Sequence, residues 1–369
     1  MTAGDSPSAI VIGAGVFGAS LAEALSSRGW RVTLVERYAP ANVRSSSGDL
    51  SRLLRCGHGT GSSTDEWYTR SAWNARARWK EIGEEEDREL LLTTGALWFA
   101  RDEDGWDTRA ETLMGELGVP CERLDPARAR ELLPGLRTDD LSFVLHEPEA
   151  GVLRASEAVR TLVRRSLRRG TELVLGTAVP ARDAVVVDGE RLTADRIVWA
   201  CGAWLGKLFP EAAPVRATRQ EVLYWDAAPE RRQGPAWVDW SVAMYGLPDV
   251  DGAGLKILSD RPGPPFDPDT SAREPDPAAV AEVRAYIAHR FPELADVRLL
   301  RAAVMHYELT PTRGFLVRPL PGQDRSWLMG GGSGHGFKHG PALGDYVADV
   351  LEGRAELAEH LLDPAVVRT

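Results

Sequence analysis

The chain has 369 residues, 43% apolar and 27% charged, with a formal net charge of -10. That length exceeds one ordinary core and points to two domains, or one with a large insertion. The negative charge excludes nonspecific nucleic-acid binding and docking on anionic membranes. No stretch approaches the ~18 apolar residues of a membrane span. The N-terminus has no basic segment before a long apolar run, so no secretory signal is read there. Cys56, Cys121 and Cys201 are an odd set without metal-like spacing, as in a reduced cytoplasmic protein, and no metal site is expected.

In chain order, "AIVIGAGVFGASLAEAL" reads as a strand, a glycine turn and a helix that opens at Val16 and Phe17. Gly13, Gly15 and Gly18 fit G-x-G-x-x-G, the spacing that lets backbone approach a pyrophosphate at a helix N-terminus. The next strand, "RVTLVE", ends on Glu36, where an acid accepts hydrogen bonds from a ribose diol. Farther on, "ELVLGTAV" and "AVVVDGERL" read as an antiparallel meander, followed by a strand ending in Cys201, Gly202, Ala203 and Trp204. This order resembles FAD enzymes with a glutathione-reductase-like fold, in which the chain leaves the dinucleotide domain and later returns.

The return is expected at "SWLMGGGSGHGFKHG", a strand and a glycine loop before a helix with Leu343, Val347, Val350 and Leu351 on one face. Exposed N–H groups in such a loop suit a negatively charged ring edge. Of the 44 basic residues only four are lysine: Lys80, Lys207, Lys256 and Lys338. Lys338 lies in this loop, and Lys256 lies inside the apolar strand "GLKIL", where a charge needs a reason.

The glycine triplet, "SSSGDLSRLLR" (45–55), the Gly-Ala-Trp strand and "GSGHGFK" (332–338) occur in that order. Together they resemble the monomeric sarcosine oxidase and N-methyltryptophan oxidase group of the D-amino-acid-oxidase-like flavoproteins. The likeness is weakest across about 85–150 and 226–300. It implies that Arg52 lies by the flavin, that Arg55 and Lys338 bind the substrate carboxylate, and that Lys256 promotes reaction of reduced flavin with oxygen. A planar guanidinium and a compact ammonium suit the two carboxylate contacts, and a fixed charge near oxygen is preorganised electrostatic catalysis. The resemblance also implies cofactor contacts from Val16, Phe17, Arg37, Ser47, Ala178, Cys201, Gly202, Trp204, Gly332, Gly334, His335, Gly336, Phe337 and Lys338.

Two departures stand out. In the family's C-x-Y-x-x-T-P stretch, Met305 replaces the cysteine that attaches flavin covalently, with Tyr307 and Pro311 retained. The FAD is therefore expected to be noncovalent, unless His306 serves. Asp260 stands where the family places a histidine, which suggests a changed amine environment or a simple loop acid. Tyr245 and Tyr307 match active-site tyrosines; Trp240 and Trp237 line the substrate pocket or pack in the core. His58 reads as a lone loop histidine, and His335 as a residue that meets the flavin ring by position.

The expected architecture is α/β: an FAD-binding Rossmann domain of the glutathione-reductase type (1–85, 151–215, 306–369) and a second α+β substrate domain on a mostly antiparallel sheet (86–150, 216–305). The function implied is oxidation of the C–N bond of an amino acid or related secondary or primary amine, with O2 as acceptor and H2O2 as product. Transfer of electrons to another acceptor, or flavin binding without turnover, are the alternatives. Partners are a small-molecule amine and O2, with no nucleic acid or membrane, in a monomer or weak homodimer.

Overall fold

The structure is a computed structural model and describes residues 6–229 and 232–362. Its centre is a six-stranded sheet in the order Leu316–Pro319, Ser326–Gly330, Arg196–Trp199, Ser8–Ile12, Arg31–Glu36, Glu172–Leu175. Every neighbouring pair is parallel except the Leu316–Pro319 edge. Helices Val16–Ser27, Ala155–Arg168, Gly340–Leu351 and Asp65–Glu85 pack around it through Leu21, Leu25, Trp79, Leu162 and Val347, all buried. Gly13 turns the chain at φ 103°, and a Cβ there would lie 2.5 Å from the Ala200 carbonyl oxygen. A Cβ on Gly18 would lie 1.9 Å from the Gly13 carbonyl oxygen, so helix and turn meet only because both positions lack side chains.

The meander begins later than its sequence suggests. Glu172–Leu175 is the edge strand of the parallel sheet, and the antiparallel sheet is Ala178–Ala181, Ala184–Val187 and Glu190–Leu192. The break falls at Gly176, whose N–H donates to the Glu36 carbonyl at 2.9 Å and carries the chain out of the first sheet.

A second large sheet has eight strands, in the order Arg298–Leu309, Arg216–Asp226, Leu255–Ser259, Met244–Leu247, Ala236–Asp239, Ala96–Ala100, Phe143–Glu147, Glu122–Leu124. Only the Ala236–Asp239 and Ala96–Ala100 pair is parallel. The segments "TTGALWFA", "QEVLYW", "VAMYG" and "GLKIL" supply four of these strands. The domain boundary expected at 305/306 falls inside Arg298–Leu309, because its ladder to Arg216–Asp226 continues as far as Leu309 opposite Arg216.

Alternation along these strands sorts the two faces. Leu223, Trp225, Leu255 and Ile257 cover one face and pack on Val283 and Ile287 of helix Pro277–Arg290. The opposite face is set by the register: Gln220 opposite Met305, Tyr224 opposite Lys256, and Tyr245 opposite Leu258. A three-stranded sheet of Ser51–Leu54, Gly151–Arg154 and Leu91–Leu92 carries the "SRLLR" segment.

No described helix is long and apolar enough to cross a membrane.

Candidate active site

A cavity of about 330 Å³ runs between the glycine turn and that second face of the large sheet. Gly13, Gly15, Val16 and Phe17 line it from the first turn; Glu36, Arg37, Ser47 and Arg52 line it from the following segment. Ala178, Cys201, Gly202 and Trp204 close one side, and Gly332, Gly334, Gly336 and Phe337 close another. The large sheet contributes Tyr245, Lys256, Met305 and Tyr307. Gly18 is not on this surface; its place is the packing of helix on turn.

Glu36 is held at the strand end. Its carboxylate accepts from the Ala14 N–H at 2.8 Å and the Tyr38 N–H at 3.0 Å. Burial raises its pKa, and those backbone donors oppose the rise. Ser47 Oγ accepts from the Val16 N–H at 3.0 Å, steadying the helix start. Arg37 pairs with Asp269 at 2.8 Å, and Trp204 Nε1 donates to the same carboxylate at 2.8 Å. A turn that no Cβ can enter, an acid at the second strand end and a glycine-lined far wall fit a dinucleotide with an attached ring.

At the sheet end, buried Lys256 donates to Asp49 and, at 2.8 Å, to the Ser51 carbonyl. Burial lowers its pKa to about 8 even though Asp49 pulls the other way. Burial tends to raise Asp49, but the charges of Lys256 and Arg52 outweigh this and hold it well below the usual carboxylate range. Arg52 donates to Asp49 at 3.0 Å and to the Ser46 carbonyl at 2.6 Å, and reaches Met305 Sδ at 3.6 Å. Tyr224 Oη also donates to Asp49, at 2.8 Å. Asp49 organises this end, and sequence reasoning missed it; the signal was a lone acid within "SSSGDLSRLLR".

Beside the cavity Asp260 accepts from Tyr307 Oη at 2.6 Å. Burial raises its pKa, against the Tyr307 hydrogen bond and the charges of Arg55 and Lys338. Arg55 donates to the Gly57 carbonyl and lies 4.9 Å from the Trp98 ring centroid and 5.7 Å from that of Trp106. Trp98 Nε1 in turn donates to Glu147, which accepts from the Cys56 N–H at 2.7 Å. Lys338 is buried, its pKa pushed well down by burial and by Arg55; Nζ donates to the His335 carbonyl at 3.3 Å.

Trp98, Trp106 and Glu147 also escaped the sequence reading, which has least purchase on that stretch. Trp240 is 39% exposed and stacks on Trp106 at 5.0 Å, while Trp237 is core, stacked on Phe99.

Arg55, Lys338, Asp260 and Trp240 also lie outside the residues that line the cavity, and three further placements stand out. The His335 ring stacks on Phe315 at 5.0 Å and lies outside the cavity lining, which Gly334 and Gly336 supply instead. His58 is not alone: the fold brings it beside His335 and His339. Glu308, absent from the sequence reading, lines the cavity; one oxygen accepts from the Gly332 N–H at 3.0 Å and the other is buried without a partner.

The sequence pattern of the DAO family, FAD dependent oxidoreductases, matches residues 8–350. The chain belongs to this family, and its cofactor is FAD. It is 28% identical over 375 residues to the monomeric sarcosine oxidase of Streptomyces avermitilis, covering 96% of each chain. It is 26% identical over 356 residues to the N-methyl-L-tryptophan oxidase of Yersinia pestis, covering 92% of this chain and 93% of that one. Among solved structures it resembles the L-proline dehydrogenase of P. horikoshii, with a TM-score of 0.83 at 22% identity over 97% and 96% of the two chains. It also resembles the fructosamine oxidase of Aspergillus fumigatus, with a TM-score of 0.81 at 23% identity over 98% and 91%. These likenesses agree with the two-sheet architecture.

Proposed function

We propose that this enzyme oxidises the C–N bond of an amino acid or related amine to the imine. The observation that carries this reading is the hydrogen bond from Tyr307, on the cavity wall, to Asp260, whose carboxylate feels the charges of half-buried Arg55 and buried Lys338. Arg55, flattened against Trp98 and Trp106, presents a planar fork to a carboxylate, and Lys338 adds a point charge. Asp260, fixed by Tyr307, orients the substrate nitrogen and draws its surplus proton, since only the neutral amine can release electrons. Bound FAD supplies the two-electron acceptor. The parallel-sheet unit is assigned to flavin binding and the face of the large sheet to substrate.

The FAD is held without a covalent bond. A thioether at position 305 cannot form the family's link, and the His306 ring packs on Phe266 at 5.6 Å with its edge to Trp204. Three unpaired cysteines support a reducing, cytoplasmic setting. Dioxygen is the proposed acceptor. A second reading, a dehydrogenase, is favoured by one contact: Asp49 already neutralises the Lys256 charge that would serve oxygen.

The test is an anaerobic visible titration with sarcosine, proline, pipecolate, N-methyltryptophan and a panel of D- and L-amino acids. Bleaching of the yellow flavin by one of them supports amine oxidation, and prompt recovery in air identifies the oxidase. Bleaching by none of these compounds counts against it.

A further inference from the structure

His58, His335 and His339 come from two distant segments, the loop after Arg55 and the glycine loop, yet each offers a ring nitrogen within 4.8 Å of the others. Their ring centroids form a nearly equilateral triangle with sides of 5.8, 5.9 and 5.9 Å. His58 is 5% exposed and His339 not at all. One ring nitrogen of each, His58 Nε2, His335 Nδ1 and His339 Nε2, is buried and has no hydrogen-bond partner.

The partnered nitrogens explain why this is unusual. His58 Nδ1 lies 2.9 Å from the Cys56 carbonyl oxygen and His335 Nε2 lies 3.1 Å from the Arg313 carbonyl oxygen. A carbonyl only accepts, so both of these nitrogens carry the proton and the unpartnered ones present bare lone pairs. His339 Nδ1 is engaged by Ser71 Oγ at 3.0 Å. Neutral imidazoles whose other N–H is held by a carbonyl are arranged as metal ligands are. The unpartnered nitrogens lie beside the rings of Tyr68 and Phe315, with no donor within hydrogen-bond reach.

We propose that His58, His335 and His339 bind one borderline divalent transition-metal ion of the Zn2+ class, with water in the fourth position. Zn–N bonds of about 2.0–2.1 Å put ligand atoms about 3.4 Å apart in a tetrahedron; small ring rotations close the triangle. Arg55 and Lys338 oppose a further cation, and the charges of Glu147 and Asp260 act on both of them in the opposite sense. The ion clips the loop bearing Arg55 to the loop bearing Lys338, fixing the spacing of the two carboxylate-binding groups.

The experiment takes the FAD-loaded enzyme, tag removed and dialysed against chelator, and titrates it with Co2+ and then Zn2+. One equivalent of Co2+ should raise the intense visible bands of a four-coordinate site, displaced by Zn2+, with a rise in melting temperature. His58→Ala and His339→Ala should each weaken binding by more than the ~10–100-fold that loss of an outer partner causes, with FAD content checked to confirm folding. Because the wild-type spectrum needs no variant, a folding failure leaves the test intact. No uptake by the wild type, or uptake unchanged in both variants, overturns the proposal.

Discussion

Asp49 and Lys256, 207 residues apart, form a buried ion pair at the wall of the flavin cavity, and the same carboxylate also takes Arg52 and Tyr224. One acid therefore holds two cations that otherwise repel at close range. Replacing it strands them: Asp49→Asn should destabilise the protein by about 3–5 kcal/mol, the usual cost of unpairing a buried charge. Lys256→Met added to Asp49→Asn should restore part of that loss. Denaturant unfolding of the single and double variants measures both.

Lys256 also separates the two fates of the reduced cofactor. In an oxidase, Lys256→Met should slow reoxidation by air about 10²–10³-fold, the scale of losing one preorganised electrostatic group, and leave anaerobic reduction by substrate nearly unchanged. Stopped-flow traces of the two half-reactions give the answer; equal reoxidation rates would assign electrons to another acceptor.

Met305 makes a prediction that needs no substrate. Acid precipitation of the wild-type protein should leave all yellow colour in the supernatant. Colour retained in the pellet would mean that another side chain, with His306 the first to examine, forms a bond to flavin.

Asp260 should shape the pH profile. Burial raises its pKa, so its ionised form, the one proposed to orient the amine, is lost on acidification sooner than for an ordinary aspartate. kcat/KM should rise with pH through that raised value. In Asp260→Asn the acidic limb should vanish and the rate fall about a hundredfold. An unchanged acidic limb would remove Asp260 from the site.

Glu308 links pH to stability. Burial pushes its pKa up to about 7 from 4.5, with only the Gly332 N–H opposing. Between those values the folded form holds a proton that the unfolded form has released, so stability falls as pH rises from about 4.5 to 7. The slope integrates to a few kcal/mol at most. Glu308→Gln should flatten it in denaturant melts at pH 5 and pH 8, whereas identical slopes would show the carboxyl to be solvated.

The cofactor half of the site was legible because each of its demands leaves a local mark: Gly13 and Gly18 sit where a side chain collides, and Glu36 ends a strand. Lys256 was legible as a charge in an apolar strand, but its partner was not, since Asp49 precedes a strand of a different sheet and only the fold brings the two side chains together. Trp98 and Trp106 carry no local mark in the sequence; only the fold brings the Arg55 guanidinium over their rings. His58 and His335 are single residues in loops and His339 caps a helix, and no spacing rule reports that these segments converge. The meander's early start was misplaced because Leu173 and Val174 suit a parallel edge as well as a hairpin.

The cavity draws its walls from residues 12–52 and again from 305–337. During synthesis the first turn therefore emerges without its opposite wall, and strand Ser326–Gly330 must slot beside Arg196–Trp199 after nearly all the chain has left the ribosome. Flavin can be captured only at that late stage, so it acts as a latch on a finished chain. Cells short of the vitamin precursor should accumulate this protein as a protease-sensitive apo form.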